Sequence, residues 1–207
     1  MSDPLAVLQR IRESSPRSVP DVEEACELCS APIAPEHDHM VNLEARTLMC
    51  VCRGCYLLFV SDGAGGAHFR SVPNRYLALG DLLLTPTEWD SLQIPVSVAF
   101  FFVNSSVGRV AAFYPGPAGA TESELPLESW QQVIEGNADL ATLQPDVEAV
   151  LVRAQTQRGN AECYIVPIDA CYELVGRLRL LWRGFDGGQE ANAMLEAFFD
   201  DVKARAA

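Results

Sequence analysis

Lysine is nearly missing from this chain of 207 residues: Lys203 stands alone beside 14 arginines. Its scarcity excludes the phosphate-binding lysine of a P-loop and makes Schiff-base catalysis improbable. Histidine is also sparse, with His37, His39 and His68 all in the first third, so a Cys/His nucleophile built on Cys163 or Cys171 would have to reach across domains. Long apolar runs are lacking as well. The longest, Ile94 to Val103, contains Pro95 and Ser97 and is half of the ~20 residues a membrane helix requires. It reads as a buried strand. Basic charge is short throughout: Lys plus Arg is 15 against 28 Asp plus Glu, a formal net charge of −13, with a pI near 4.5. That balance argues against nucleic acid and anionic membrane as partners, since counterion release needs a basic surface. Gly-x-Gly-x-x-Gly, His-Glu-x-x-His and Gly-x-Ser-x-Gly do not occur.

What is present suits a soluble globular protein. Apolar residues are 49% and charged residues 21%, near ordinary averages, and the length allows one well-packed domain with an appendage or two modest ones. The N-terminal stretch has charges every few positions and no apolar h-region, so the expectation is a cytoplasmic chain whose thiols meet a reducing medium. Seven cysteines is an odd number, so complete internal pairing is impossible.

Three segments are expected. Residues 1–20 form a short helix and linker, 21–60 a Cys/His metal-binding module, and 61–207 an α+β domain. Glycines follow the module at 63, 65 and 66, a flexible connector before a strand at 68–72. Two β-rich runs, 96–103 and 109–114, flank the polar, Gly-ended segment 104–108 as a hairpin. The stretch 115–121, rich in Pro and Gly, reads as a rigid surface loop. A helix is expected from Pro126, and another from Pro145-Asp146 that buries Val147, Val150 and Leu151. Cys163 to Ile168 reads as a strand. Asp169 is placed to cap a following helix that Gly184 ends, and a final helix carries the stripe Ala191, Met194, Leu195, Phe198, Phe199 and Val202.

Five cysteines crowd into the module as Cys26-Glu-Leu-Cys29 and Cys50-Val-Cys52-Arg-Gly-Cys55, with His37-Asp-His39 between. Two Cys-x-x-Cys pairs match a zinc ribbon or treble clef, in which two knuckles direct Cys26, Cys29, Cys52 and Cys55 at one tetrahedral Zn²⁺. Gly54 is expected to permit the turn of the second knuckle, and Leu43, Leu48, Leu57, Leu58 and Phe59 to cover the site. His37, His39 and Cys50 are left over. They form a second mixed site, replace one thiolate of the first, or serve as polar neighbours and packing. Four thiolates also suit iron or an iron–sulfur cluster, which leaves open a metal-handling or rubredoxin-like electron-transfer role. The knuckles lack the Cys-Pro-x-Cys-Gly form of rubredoxin. A dithiol redox role is weaker, because neither pair is expected between a strand and a helix.

Outside the module the polar candidates are Tyr114, Glu122, Ser123, Asp146, Glu148, Asp169 and Glu173, with helix capping the preferred explanation for Asp146 and Asp169. Cys163 and Cys171 are expected in the core.

The chain also resembles a family of uncharacterised domains of actinobacterial type. The residues that carry the likeness are Cys26-Glu-Leu-Cys29, Pro35-Glu-His37-x-His39, Cys50-x-Cys52-x-x-Cys55, Ile94-Pro95-Val96, Ala99 to Phe102, Tyr114 to Ser123, Asp146-Val-Glu148, Val166-Pro-Ile-Asp169 and Cys171-Tyr-Glu-Leu174. That resemblance assigns no chemistry. It implies a gene neighbourhood of [NiFe]-hydrogenases and their maturation factors, and so an accessory role with a hydrogenase subunit or maturation factor as partner. The combined expectation is a non-enzymatic, zinc-binding accessory or adaptor protein. A metal-dependent enzyme is the weakest alternative: the order Cys-x-x-Cys, His-x-His, Cys-x-x-Cys is similar to treble-clef nucleases, but the acidic charge opposes nucleic-acid cleavage.

Overall fold

A computed structural model describes residues 24–60, 68–80, 86–116, 119–123, 138–154, 161–183 and 187–206. The helix and linker expected over 1–20, the glycine connector, the helix from Pro126 and the helix end at Gly184 lie outside these residues.

The larger unit is one antiparallel sheet with helices on both faces. Its strands are β4 (Leu77–Ala78), β5 (Val98–Asn104), β6 (Arg109–Gly116), β7 (Gly119–Ser123), β8 (Glu148–Arg153) and β9 (Glu162–Pro167), in the spatial order β4-β9-β8-β5-β6-β7. Side chains alternate across a strand, and here both faces are dry. Val98, Phe100, Ala149, Leu151, Tyr164 and Val166 enter one core, packed by Leu174, Leu178, Phe199 and Val202 of helices α3 (Ile168–Leu181) and α4 (Gly188–Arg205). Ala99, Phe101, Val150, Val152, Cys163 and Ile165 enter the other, under Trp89, Leu92, Ile94 and Leu140, supplied by helix α2 (Pro86–Ser91), the segment after it and a 3₁₀ turn at Ala138–Thr142. Phe100 and Phe101, each 1% exposed, therefore face opposite layers. Burying each is worth about 1.5–3 kcal/mol, and this explains why the run from Ile94 is apolar without alternation.

Several expectations change. Residues 148–153, the bulk of the proposed helix after Pro145, are strand β8 between β5 and β9. Asp146 is left-handed at φ 67° and caps no helix; its carboxylate accepts from Ser105 N at 2.9 Å and faces Arg70 Nη1 at 3.4 Å. Of the stretch expected as a surface loop, residues 115–116 and 119–121 are paired strand, with Tyr114 opposite Thr121 and Pro115 opposite Ala120. Asp169 sits inside the first turn of α3, whose N-cap is Pro167 with no side-chain cap bond.

The smaller unit is a second antiparallel sheet, order β2-β1-β3, made of β1 (Asp38–Asn42), β2 (Thr47–Val51) and β3 (Phe69–Ser71). β3 lies beyond residue 60, so this sheet recruits a strand from the segment assigned to the larger domain. Asn42 Oδ1 holds the β1–β2 turn by accepting from the backbone N–H groups of Glu44 and Ala45. β2 runs through Cys52 into the short helix α1 (Arg53–Leu58). The two units are tied by Val41 and Leu48, which pack against the core beneath α3, and by the His39–Asp169 hydrogen bond of 2.9 Å.

Candidate metal centre

Two local devices bring four sulfurs together. In the first, Ala25 bridges Pro32, Cys26 N donates to Ala31 O and Ser30 N to Cys26 O, and Ser30 takes the left-handed position at φ 60°. This tight turn presents Cys26 and Cys29 on the same side. In the second, Cys52 is the N-cap of α1 and its sulfur accepts from Cys55 N at 3.5 Å. Gly54 needs no special backbone conformation here; it lies in the helix, and a Cβ there would meet Cys52 Sγ at 3.8 Å, an ordinary contact. Glu27 N donates to Cys50 O at 2.9 Å, locking one turn to the strand that feeds the other.

The sulfurs of Cys26, Cys29, Cys52 and Cys55 all lie within 4.8 Å of one another, and Cys29 Sγ is 3.7 Å from Cys52 Sγ. A tetrahedral zinc with bonds near 2.3 Å requires sulfurs about 3.8 Å apart, so the donor set fits such an ion. Cys26 is buried with Met40 and Val51, and Met49, Tyr56, Phe59 and Phe69 pack around them. Leu57 and Leu58 do not cover the site; they are 55% and 59% exposed. Leu48 turns to the other core.

Electrostatics show the strain of four thiols at this spacing. Burial pushes Cys26 up, but backbone hydrogen bonds from Cys52, Cys29 and Leu28 prevail and bring it down to about 6. Cys55 is pushed up to about 12, first by the Cys29 side chain and then by burial and the other sulfurs. One thiolate forms readily and then opposes its neighbours, a conflict that a bound cation removes.

His37, His39 and Cys50 do not join these four. They form a separate group, with one ligand atom from each within 4.8 Å of the others. His39 lies directly opposite Cys50 in the β1–β2 ladder, and the rings of His37 and His39 are 4.9 Å apart between centroids. Burial raises the Cys50 thiol, assisted by the carboxylates of Glu27 and Glu24. The strand-to-helix setting that the sequence reading denied to either Cys pair is present at Cys52, but four gathered sulfurs favour a metal over a dithiol.

The polar candidates of the larger unit do not converge. Glu122 and Asp146 line a cavity of about 200 Å³ between the two sheets, while Asp169 and Glu173 line another beside His37 and His39. Glu122 pairs with Arg109, and Glu173 with Arg177. Cys163 and Cys171 are buried in the two cores as expected. Sequence reasoning missed Arg75, whose Nε and Nη2 each donate at 2.7 Å to the fully buried Glu148 carboxylate. Nothing local in the sequence links residues 73 apart.

The chain belongs to the family of unknown function DUF5947, whose family model matches residues 25–206. No curated protein matches it, and no solved structure does. Among the described residues, no helix is long and apolar enough to cross a membrane.

Proposed function

We propose that Cys26, Cys29, Cys52 and Cys55 hold a structural Zn²⁺ in a treble-clef-like module, and that the protein is a non-enzymatic accessory or adaptor. The observation that carries the metal reading is the gathering of four sulfurs within 4.8 Å by two independent turns. A treble clef is favoured over a ribbon by the order of parts: knuckle, β1–β2 hairpin, then a helix that opens on the second pair. Four thiolates close the coordination shell, which suits a structural ion. Zinc fits this set, and iron is the alternative that the same sulfurs serve.

The adaptor reading rests on the exposed apolar residues Leu57, Leu58 and Val60, 55–59% exposed at the end of α1, beside a rigid metal-held turn. Clustered apolar exposure of this kind marks contact surfaces. The partner class comes from the resemblance alone: a hydrogenase subunit or maturation factor. Co-purification from hydrogenase-expressing cells tests it, with Leu57→Asp/Leu58→Asp as control. Recovery of a hydrogenase component with the native chain and its loss with the variant supports the reading; no such component with the native chain overturns it. Elemental analysis and an absorption spectrum of anaerobically purified protein test the metal. Tightly held zinc and no visible colour are the expected result, and iron bands sink the zinc assignment.

A further inference from the structure

His37, His39 and Cys50 occupy the face of the small sheet turned away from the four sulfurs. In the β1–β2 ladder, Asp38 pairs with Val51 and Met40 with Met49, and Met40, Met49 and Val51 belong to the module's own core. Side chains alternate, so His39 and its partner Cys50 share the opposite face with Val41 and Leu48, which pack toward α3. His37, two residues earlier, lies 4.9 Å from His39 ring to ring.

The tautomer each ring takes when neutral follows from its neighbours. His37 Nδ1 is 2.9 Å from Ala34 O; a carbonyl only accepts, so Nδ1 carries a hydrogen, and in the neutral ring Nε2 then offers a lone pair. That Nε2 is buried and has no hydrogen-bond partner among the described residues, and the His37 side chain is only 10% exposed. His39 Nδ1 donates to Asp169 Oδ2 at 2.9 Å, so in the neutral ring its Nε2 likewise carries the lone pair. A carboxylate behind an imidazole is the usual arrangement that orients a metal-binding histidine. One nitrogen of each ring and the Cys50 sulfur lie within 4.8 Å of one another, and the Cys50 S–H can donate to only one ring. A buried acceptor left unmet is destabilising, and a cation meets all three donors at once.

We propose that His37, His39 and Cys50 form a second cation site, distinct from the four-cysteine centre, for a divalent first-row transition ion such as Zn²⁺, Co²⁺ or Ni²⁺. Two neutral imidazoles and a thiolate are the donors such ions prefer. Binding releases the Cys50 thiol proton to solvent and leaves the site one positive charge. Asp169, hydrogen-bonded to His39, and Glu27, which accepts from Cys50 N, offset that charge. Three protein ligands leave a coordination position open, as in sites that exchange or present a ligand. His37 and His39 also line a cavity of about 870 Å³ with Tyr56, Tyr76, Asp169 and Arg205, which gives the ion an entry path.

The two sites share no ligand, so their tests separate. The full-length protein, dialysed against a mild chelator until it retains one tightly held zinc, is titrated with Co²⁺ and followed by absorption, with zinc counted in the same samples. The expected result is uptake of one equivalent of cobalt with thiolate-to-cobalt charge transfer, while the first zinc stays in place. Cys50→Ser and His37→Ala should abolish the charge-transfer band and retain the zinc. Asp169→Asn, which acts through His39, should weaken cobalt binding about 10- to 100-fold. A native chain that keeps its zinc and takes up no cobalt overturns this site and leaves the four-cysteine reading standing. So does cobalt uptake unchanged in the Cys50→Ser and His37→Ala proteins. If His37→Ala fails to fold, Cys50→Ser decides the matter alone, because serine preserves size and removes the sulfur.

Discussion

Glu148 has no solvent exposure, yet its carboxylate accepts from Arg75 Nε and Nη2 and from the backbone N–H of Gln144 at 2.7–2.8 Å. Arg75 also reaches Thr142 Oγ1 and O, so one guanidinium ties the 3₁₀ turn to the start of β8. Removing one partner of such a pair strands a buried charge. Arg75→Ala should therefore cost about 3–5 kcal/mol, read as a fall in the urea midpoint with unchanged slope; a change under about 1 kcal/mol would show that the pair is dispensable. The buried thiols behave differently from the clustered ones. Cys163 is pushed up to about 12 by burial, and Cys171 well above its usual value by burial and then Asp169. Both stay protonated near pH 8, where only a thiolate is nucleophilic. Iodoacetamide at that pH should leave Cys163 and Cys171 unmodified in native protein and label them in urea. A raised folded value also means that alkali destabilises: stability is full below the unfolded value near 9 and is lost as pH climbs above it, for Cys163 toward about 12. Each unit in that window costs about 1.4 kcal/mol per thiol. Urea midpoints measured between pH 8 and pH 10 should accordingly decline, and a flat profile would contradict the burial of these thiols.

At the scale of elements, the small sheet separates two chemistries by strand alternation alone. Met40 and Val51 close over the four-cysteine turn while His39 and Cys50 look toward α3. Helix α1 depends on Cys52 twice, as N-cap acceptor and as expected ligand. Cys52→Ser distinguishes the roles, because serine is a better N-cap than cysteine but a poor zinc ligand. The account expects the variant to lose its metal, detected by elemental analysis, despite an intact cap; retained metal would reduce Cys52 to a cap. Local signals in the sequence made this part legible. Each Cys-x-x-Cys is a self-contained turn, and the strands on either side of residues 104–108 are joined by the short polar loop expected of a hairpin. Elements decided by distant neighbours were not legible. Val147, Val150 and Leu151 fit a helical face as well as a doubly buried strand, and only β5 and β9 on either side select the strand. Pro115 reads as loop, yet it lies past the end of the β5–β6 ladder, so its missing N–H removes no bond to β5.

The whole molecule joins a small unit with little core of its own to a larger one packed on both faces of its sheet. The large sheet is packed on both faces by buried cores, whereas among the described residues the small unit has only Cys26, Met40 and Val51 as fully buried apolar side chains. So little core cannot offset chain entropy without a staple, and zinc-finger peptides gain about 10–16 kcal/mol from their ion. Chelation should thus melt residues 24–59 and release β3, seen as fast amide exchange there, while α3, α4 and β5 to β9 stay protected. The candidate four-cysteine set could be read from spacing alone, but the partition of His37, His39 and Cys50 into a second group needed the β1–β2 register and Asp169, 130 residues from His39. The most direct test of the central claim is zinc stoichiometry by native mass spectrometry after dialysis against a mild chelator, for the native chain, Cys26→Ser, Cys55→Ser and Cys50→Ser. The account predicts one retained ion in the native and Cys50→Ser proteins and none in Cys26→Ser or Cys55→Ser. A native chain without metal, or an ion that survives loss of Cys26 or Cys55, would contradict it.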